Sequence, residues 1–298
     1  MDLWPLFPKQ GIGLFLVPGT PFLYIEESRT IILADTHFGF EEAASRGLFY
    51  SSRETRSGFS GITLPRIQYK RTVATLEWTL REVETLRVVV NGDIKHAFDR
   101  LLPQEKREVS MFIETMRNKG VDDIVVVRGN HDNFIKPLLR RLEVGFVNAI
   151  ETKVSGLKVL ITHGHEYYDP SGYDIIVIGH EHPSLKCFES QRYPSLLKIP
   201  LDTGGVLVVL PATGPYHPGT PVSPNRDDYL SPIIREHGLL TAMEVIVWTE
   251  APVPYEGDRI SAEAPGFVRY ARLNGYGGSV LVVDFESWDA LTHICFIY

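Results

Sequence analysis

The sequence predicts a mixed α/β (α+β) fold, on three observations. Strand-like and helix-like patterns alternate through the first half, short apolar strands crowd the second half, and five predicted strands end in short polar motifs. The first of these strands is Thr30–Ala34, a β-branched run that stops at Asp35. Tyr69, Val73, Leu76, Leu80 and Val83 then recur every three or four residues, which puts them on one face of a helix. Arg87–Val90 reads as a buried strand ending at Asn91-Gly92-Asp93. A second amphipathic helix follows around Val109, Phe112, Ile113 and Met116, with Gly120 as its C-cap. Ile124–Val127 is the next strand and runs into Arg128-Gly129-Asn130-His131. This β-α-β rhythm implies parallel crossovers, with helices on the faces of a sheet.

The second half supplies strands at Val159–Thr162, Ile175–Ile178, Val206–Leu210 and Glu244–Trp248, broken by Gly and Pro. Past Trp248 the chain turns rich in Pro, Gly and acid, and residues 251–266 read as a linker. Ser279–Phe285 and His293–Tyr298 are expected to form a small terminal β unit. The expected organisation is one domain over residues 1–250 with a C-terminal extension over 251–298. Between the first strand and the first long helix, Tyr50–Pro65 reads as an Arg-bearing surface loop.

Composition narrows the function classes. A chain of 298 residues, 44% hydrophobic and 22% charged, excludes a disordered or fibrous protein. Thirty Lys and Arg against 37 Asp and Glu leave a net charge of -7, which argues against a surface coated in positive charge for gripping nucleic acid. Cys187 and Cys295 are too few for a disulfide framework or a thiolate zinc site, and fit a reducing cytoplasm. No signal-peptide pattern and no run of about 18 apolar residues is visible, so a cytoplasmic protein without a membrane span is expected.

The chemistry sits in the five motifs: Asp35-Thr36-His37, Gly92-Asp93, Gly129-Asn130-His131-Asp132, His163-Gly164-His165 and Gly179-His180-Glu181-His182. Carboxyl ends of strands line the ligand crevice of open α/β sheets, so residues far apart in sequence converge there. Seven of the ten histidines fall in or beside these motifs. The donor set is carboxylate, amide and imidazole without sulfur, which suits Mn, Fe, Zn or a similar divalent ion and does not choose among them.

Together these motifs resemble those of the calcineurin-like metallophosphoesterases. Gly92-Asp93-Ile94-Lys95-His96, Gly179-His180-Glu181-His182-Pro183, Leu210-Pro211-Ala212 and Tyr229-Leu230-Ser231-Pro232-Ile233 are similar to a branch that includes the DNA-ligase-associated phosphoesterases and their archaeal relatives. The resemblance implies a four-layer metallophosphoesterase β-sandwich flanked by helices. It also implies a site for two divalent ions, Mn²⁺ first among them, with Fe, Zn, Ni and Co as alternatives. Carried over by position, Asp35, His37 and His182 hold one ion, Asn130, His163 and His180 the other, and Asp93 bridges them. His131 is then the general acid, oriented by Asp132. Many members of the superfamily have a second Asp three residues after the bridging one, where this chain has His96.

Lys95 and His96 are accordingly read as substrate-facing or outer-sphere residues. Arg53 and Arg66 are candidates to hold substrate phosphate, since guanidinium forks match phosphate oxygens. His165 is a candidate outer-sphere partner of a ligand. The implied activity is phosphodiester hydrolysis, of a nucleotide or nucleic acid, by metal-hydroxide attack with His131 protonating the leaving oxygen. The alternatives are a small-molecule phosphomonoesterase and a non-catalytic metal-binding scaffold. The oligomeric state, a homodimer included, is left open by the sequence.

Overall fold

In the computed structural model, residues 2–46, 61–187, 191–217, 219–251, 261–264 and 268–295 are described. The first sheet comprises β1 (Trp4–Pro5), β2 (Leu14–Leu16), β3 (Leu23–Ile25), β4 (Thr30–Leu33), β5 (Arg87–Asn91), β6 (Asp123–Val127) and β7 (Gly145–Val147), in sequence order across the sheet. Its first four strands are antiparallel, and β4 to β7 run parallel. The parallel crossovers carry α1 (Phe40–Ser45) and α2 (Gln68–Glu82), then α3 (Pro103–Asn118), then α4 (Lys136–Arg141).

The second sheet collects β8 (Ala149–Val154), β9 (Leu157–Thr162), β10 (Ile175–Ile178), β11 (Pro183–Cys187), β12 (Gln191–Pro200), β13 (Val206–Val209), β14 (Thr220–Pro221), β15 (Glu244–Glu250), β16 (Ser261–Ala264), β17 (Val268–Gly275) and β18 (Gly278–Phe285). Its main path is β16-β17-β18-β15-β12-β13-β10-β9-β8, with β11 and β14 on a branch from β12. Only β9, β10 and β13 are mutually parallel on that path. Two helices, α5 (Pro232–His237) and α6 (Trp288–Cys295), follow in the last part of the chain.

Period-two alternation sorts the side chains into layers. Ile32 and Ala34 of the first strand run, Val89 of β5, Val159 and Ile161 of β9, and Ile175 and Val177 of β10 form the core between the sheets. Ile31, Leu33, Val88 and Val90 point the other way and pack on Val73, Leu76, Val109 and Phe112 of α2 and α3. Leu160, Ile176 and Ile178 likewise pack with Ile233, Ile234 and Leu291 of α5 and α6. Helix, sheet, sheet, helix is the four-layer arrangement. Because both faces of the central strands are apolar, polar side chains are confined to strand ends, which positions the site.

The C-terminal region differs from its sequence reading in two places. Residues 261–264, part of the stretch read as a linker, pair as β16 with β17, while 252–260 lie outside the described residues. The segment from His293, expected as a strand, belongs through Cys295 to α6. Leu291 is buried in the outer core with Trp288 and Cys295 packed beside it, and that three-and-four spacing wins over the short apolar run. Through β18, which pairs with β15, the last strands continue the second sheet. The cysteines also depart from the thiols expected of them: β11 and α6 bring their Cα atoms to 4.8 Å, and Cys187 and Cys295 form a disulfide.

Candidate metal centre

The loops after β4 and β5 run side by side beyond the sheet. Asp35 N–H donates to Gly92 O, His37 N–H to Asp93 O and Phe38 N–H to Ile94 O, at 2.9 to 3.0 Å. Asp35, His37, Asp93, His180 and His182 all have φ between 42° and 67°, the left-handed region that costs side-chain-bearing residues about 1–3 kcal/mol each. Such strain persists only where the surroundings fix it, and it recurs at both donors of the Asp35–His37 and His180–His182 motifs. Two glycines make room for the carboxylates. A Cβ on Gly179 would stand 2.6 Å from Asp35 Oδ2, and one on Gly129 would overlap Asp93 Oδ1.

Two groups of donors result, with the ligand atoms of each within 4.8 Å of one another. Asp35, His37 and His182 make the first, and Asp93, His163 and His180 the second. Asp93 Oδ2 lies between them, 3.4 Å from His163 Nε2 and 3.9 Å from His37 Nε2. Asn130 Oδ1 is 3.2 Å from His163 Nε2 and so stands at the second group. The residue types fit a pair of divalent cations, and so does one orphaned atom. Asp35 Oδ1 is buried without a hydrogen bond among the described residues, although His182 Nε2 is 3.1 Å and His163 Nε2 3.8 Å away. Imidazole nitrogens gathered about a carboxylate oxygen without hydrogen-bond geometry are the surroundings a cation needs.

The residues around these groups fix them. His163 Nδ1 meets the Asn91 carbonyl at 2.9 Å, so in the neutral ring the proton sits on Nδ1 and Nε2 keeps its lone pair for the site. The Asn91 side chain donates to Thr162 O at 2.9 Å and Val177 O at 3.3 Å, tying the end of β5 to β9 and β10. Asp35 Oδ2 accepts the His180 N–H at 3.0 Å, a further bond between the sheets.

Charge is divided unevenly. Burial opposes ionisation of Asp93, yet His163 and His131 hold its carboxyl well below the usual range. Burial opposes protonation of His163 too, but Asp93 and Asp35 outweigh it and lift this imidazole to about 10. Burial likewise opposes protonation of His182, and Asp35 raises it all the same. His37 is driven far down by burial and by the neighbouring imidazoles His217 and His182. Burial lowers His96 to about 3 and His180 to about 4, with His131 and His163 respectively adding to the effect. The centre therefore holds His163 as a charged imidazole and keeps His96 and His180 neutral.

The remaining predicted residues divide. His131 turns Nε2 inward, 4.0 Å from Asp93 Oδ2, and its Nδ1 pairs with the carbonyl of His96. Asp132 does not orient His131, contrary to expectation. Its carboxylate accepts the N–H groups of Asp93 (2.9 Å), Ile94 (3.0 Å) and Gly129 (2.8 Å), and so clamps the loop bearing the shared carboxylate. Burial and Asp93 push Asp132 up, while the Gly129 N–H pulls it down.

Lys95 is fully buried and donates to Ala97 O, so it supports the loop. His96 does reach the site, with Nδ1 3.4 Å from His37 Nδ1. It forms a third convergent group with His37 and His131. His165 stands at the rim, its ring 5.3 Å from His163 and its Nε2 3.6 Å from Glu166. Arg66 is exposed just ahead of α2, and Arg53 lies outside the described residues.

One histidine that the sequence reads as ordinary stands at the centre. His217, which belongs to none of the motifs, stacks on His37 with centroids 4.3 Å apart and planes at 23°. Its edge meets His182 at 5.2 Å. The one sequence signal for it was its position five residues past the Leu210-Pro211-Ala212 turn, which is no metal-ligand spacing.

The fold has a known counterpart among solved structures. Pseudomonas putida nuclease MPE superposes with a TM-score of 0.53 at 20% identity, covering 80% of this chain and 93% of its own. A protein of unknown function from Aquifex aeolicus matches at 17% identity and TM-score 0.33, over 51% of this chain and 78% of its own. Vacuolar protein sorting 29 from Cryptosporidium parvum matches at 15% identity and TM-score 0.32, over 87% and 97%. No curated protein sequence matches the chain. The model of the calcineurin-like phosphoesterases matches residues 28–184, more than half of the chain and a span that holds all five motifs. With its two donor groups at the ends of β4, β5, β6, β9 and β10, the chain belongs to the calcineurin-like phosphoesterase family, and is a metal-dependent phosphoesterase.

Proposed function

We propose that the chain hydrolyses phosphodiester bonds, of a nucleotide or nucleic acid, with two manganese ions as the resident metals. The observation that carries this reading is the place of Asp93 Oδ2, within 4 Å of imidazoles from both donor groups. A carboxylate shared in this way suits ions about 3.5–4 Å apart, the spacing of two-metal hydrolytic sites. Asp35, His37 and His182 are assigned to one ion, Asn130, His163 and His180 to the other, with Asp93 common to both. When bound, two such ions lower the pKa of water and offset charge on the phosphoryl oxygens.

The protein's own work is orientation and proton delivery. Asn91 sets the His163 tautomer, and Asp132 anchors the Asp93 loop. His131 presents Nε2–H toward the leaving-group oxygen while the His96 carbonyl holds Nδ1, the geometry of a general acid. Nucleic acid is favoured as substrate because the solved structure with TM-score 0.53 is a nuclease. The net charge of -7 favours short or single-stranded stretches over long duplex. Among the described residues no helix is long and apolar enough to cross a membrane. The Cys187–Cys295 bond fits an oxidising compartment, or a hyperthermophile's cytosol, better than a mesophile's cytoplasm.

The reading is tested by assaying Mn²⁺-loaded protein on bis-p-nitrophenyl phosphate, p-nitrophenyl phosphate and single- and double-stranded DNA in parallel. Hydrolysis of the diester and of single-stranded DNA is expected. Hydrolysis of the monoester alone overturns the diester assignment, and silence on every substrate with two metals bound overturns the enzymatic one.

A further inference from the structure

His217 has no task in the function proposed above, and its surroundings demand one. Both ring nitrogens are buried and neither has a hydrogen-bond partner among the described residues. A neutral imidazole carries one N–H donor and one acceptor, and leaving such groups dry and unpaired is costly enough that native structures rarely do so. The ring is held firmly all the same. One face stacks on His37, and Phe40 and His182 meet it edge to face at 5.1 and 5.2 Å.

The loop that carries the ring is pinned on both sides. Before it, Tyr216 stacks on Phe40 at 5.3 Å and its hydroxyl donates to Pro65 O. After it, Thr220 N–H donates to the carbonyl of His182 at 2.8 Å, so the loop is fastened to the backbone of a proposed ligand. A ring placed with this care against two donors of the first metal group, with both nitrogens unspent, awaits a partner that arrives with the ligand.

That partner is not one of the metals. His217 belongs to none of the groups whose donor atoms converge within 4.8 Å. Its ring lies nearly parallel to that of His37, against the face of one donor of the first metal group. What remains within reach is an oxygen projecting beyond the metals. We propose that His217 is a substrate-binding residue that donates its ring N–H to a non-bridging oxygen of the phosphoryl group, on the side of the first metal group. This rests on the dinuclear assignment above.

The test uses inorganic phosphate as the probe and binding as the readout. The full chain is loaded with Mn²⁺, its metal content is measured, and phosphate affinity is determined calorimetrically for wild type, His217→Phe and His217→Gln. Phenylalanine keeps the stack on His37 and removes the nitrogens, whereas glutamine restores a donor. Two ions are expected in all three proteins, with phosphate bound about 10- to 100-fold more weakly by His217→Phe, as befits a lost hydrogen bond to a charged group, and more tightly again by His217→Gln. Equal phosphate affinity in wild type and His217→Phe overturns the proposal. So does loss of an ion from His217→Phe, which would make His217 a ligand. A wild-type protein that fails to bind two ions overturns the dinuclear assignment itself, a separate result.

Discussion

The two sheets contribute to the centre in different currencies. The first sheet, through β4, β5 and β6, delivers both carboxylates, Asp35 and Asp93, the amide Asn130, and His37 and His131. From β9 and β10 the second sheet sends imidazoles only: His163, His180 and His182. Neither set suffices alone. The Asp35 group takes its third donor from the second sheet, and the Asp93 group takes two of its three from there. With both carboxylates on one side and His163, His180 and His182 on the other, the two donor groups form only where the sheets are in register. The interface that buries the core is also the interface that builds the site.

Loops of the first sheet are held by carboxylates on backbone N–H groups: Asp132 on Asp93 and Ile94, Glu105 on His96, and Glu108 on Gly39. Carboxylates of α3 thus cap a neighbouring loop instead of facing water. Burial raises both Glu105 and Glu108, with Lys95 and Gln104 respectively opposing it most. If this half also performs the proton transfer, His131→Ala should have the largest effect on turnover of any change that spares the metals. A fall in kcat of about 10²–10⁴-fold is expected, with two ions still bound. Metal analysis alongside the kinetics decides it. Loss of an ion together with activity would make His131 a ligand and shift the chemistry toward the other sheet.

Asn91→Ala tests the seam itself. This buried side chain makes two hydrogen bonds to β9 and β10, and its own carbonyl sets the His163 tautomer. Truncation leaves the Thr162 and Val177 carbonyls without this donor, a loss of about 1–3 kcal/mol in stability. Metal affinity should fall as well, because the side chain fixes the strand end whose backbone carbonyl, retained in the variant, orients His163. The variant should therefore melt earlier and require more Mn²⁺ for saturation. Unchanged affinity with lowered stability would separate the interface from the site and end the comparison drawn above.

Much of this was legible before any coordinates, and the part that was not has a physical reason. Strands apolar on both faces announce themselves, and their polar ends are visible in the chain as Asp35, Asp93, Asn130, His163 and His180. Period and punctuation are local properties. Asn91 lay within a quoted motif, yet its bonds run to residues 71 and 86 positions away. Asp132 was seen, but its partners were misread because a side chain's hydrogen bonds depend on loop geometry and not on sequence adjacency. His217 was invisible for the same reason. Its approach to His37 depends on two residues of β14 pairing with β11, a contact too short to leave a pattern. Helix α6 was lost to an ambiguity between a short apolar run and a helical stripe, which burial resolved.

The division of charge predicts how proton and metal compete. In the metal-free protein the His163 ring carries a proton up to about 10, held there by Asp93 and Asp35 against the cost of burial. A metal ligand must be neutral, so binding expels that proton and affinity should rise with pH. The apparent Kd for Mn²⁺ is expected to fall by about tenfold per pH unit between pH 6.5 and 8, steeper if His182 also gives up a proton. His180, lowered to about 4, is already neutral in this range and contributes nothing to the slope. The stability of the metal-free protein moves in the opposite direction. His163 contributes fully below its unfolded pKa near 6.5, and this is lost as pH rises through about 10. Metal titrations at three pH values measure the slope, and a flat profile would remove His163 from the second metal.

The smallest effect on the centre is expected from the far side of the second sheet. The Cys187–Cys295 bond joins the end of β11 to α6 and closes a loop of 108 residues. A crosslink of that span restricts the unfolded chain, and its removal costs roughly 2–5 kcal/mol. Cys295→Ser should therefore lower the melting temperature. Yet β11 reaches the centre only through His182 at its other end, and that residue is fixed by Asp35 and by the Thr220 N–H, neither of which involves α6. Metal content, Mn²⁺ affinity and diester turnover should match wild type at temperatures where the variant is folded. A loss of affinity in the folded variant would show that α6 steadies His182 through β11, and the second sheet's share of the site would then extend from the seam to the C-terminal helix.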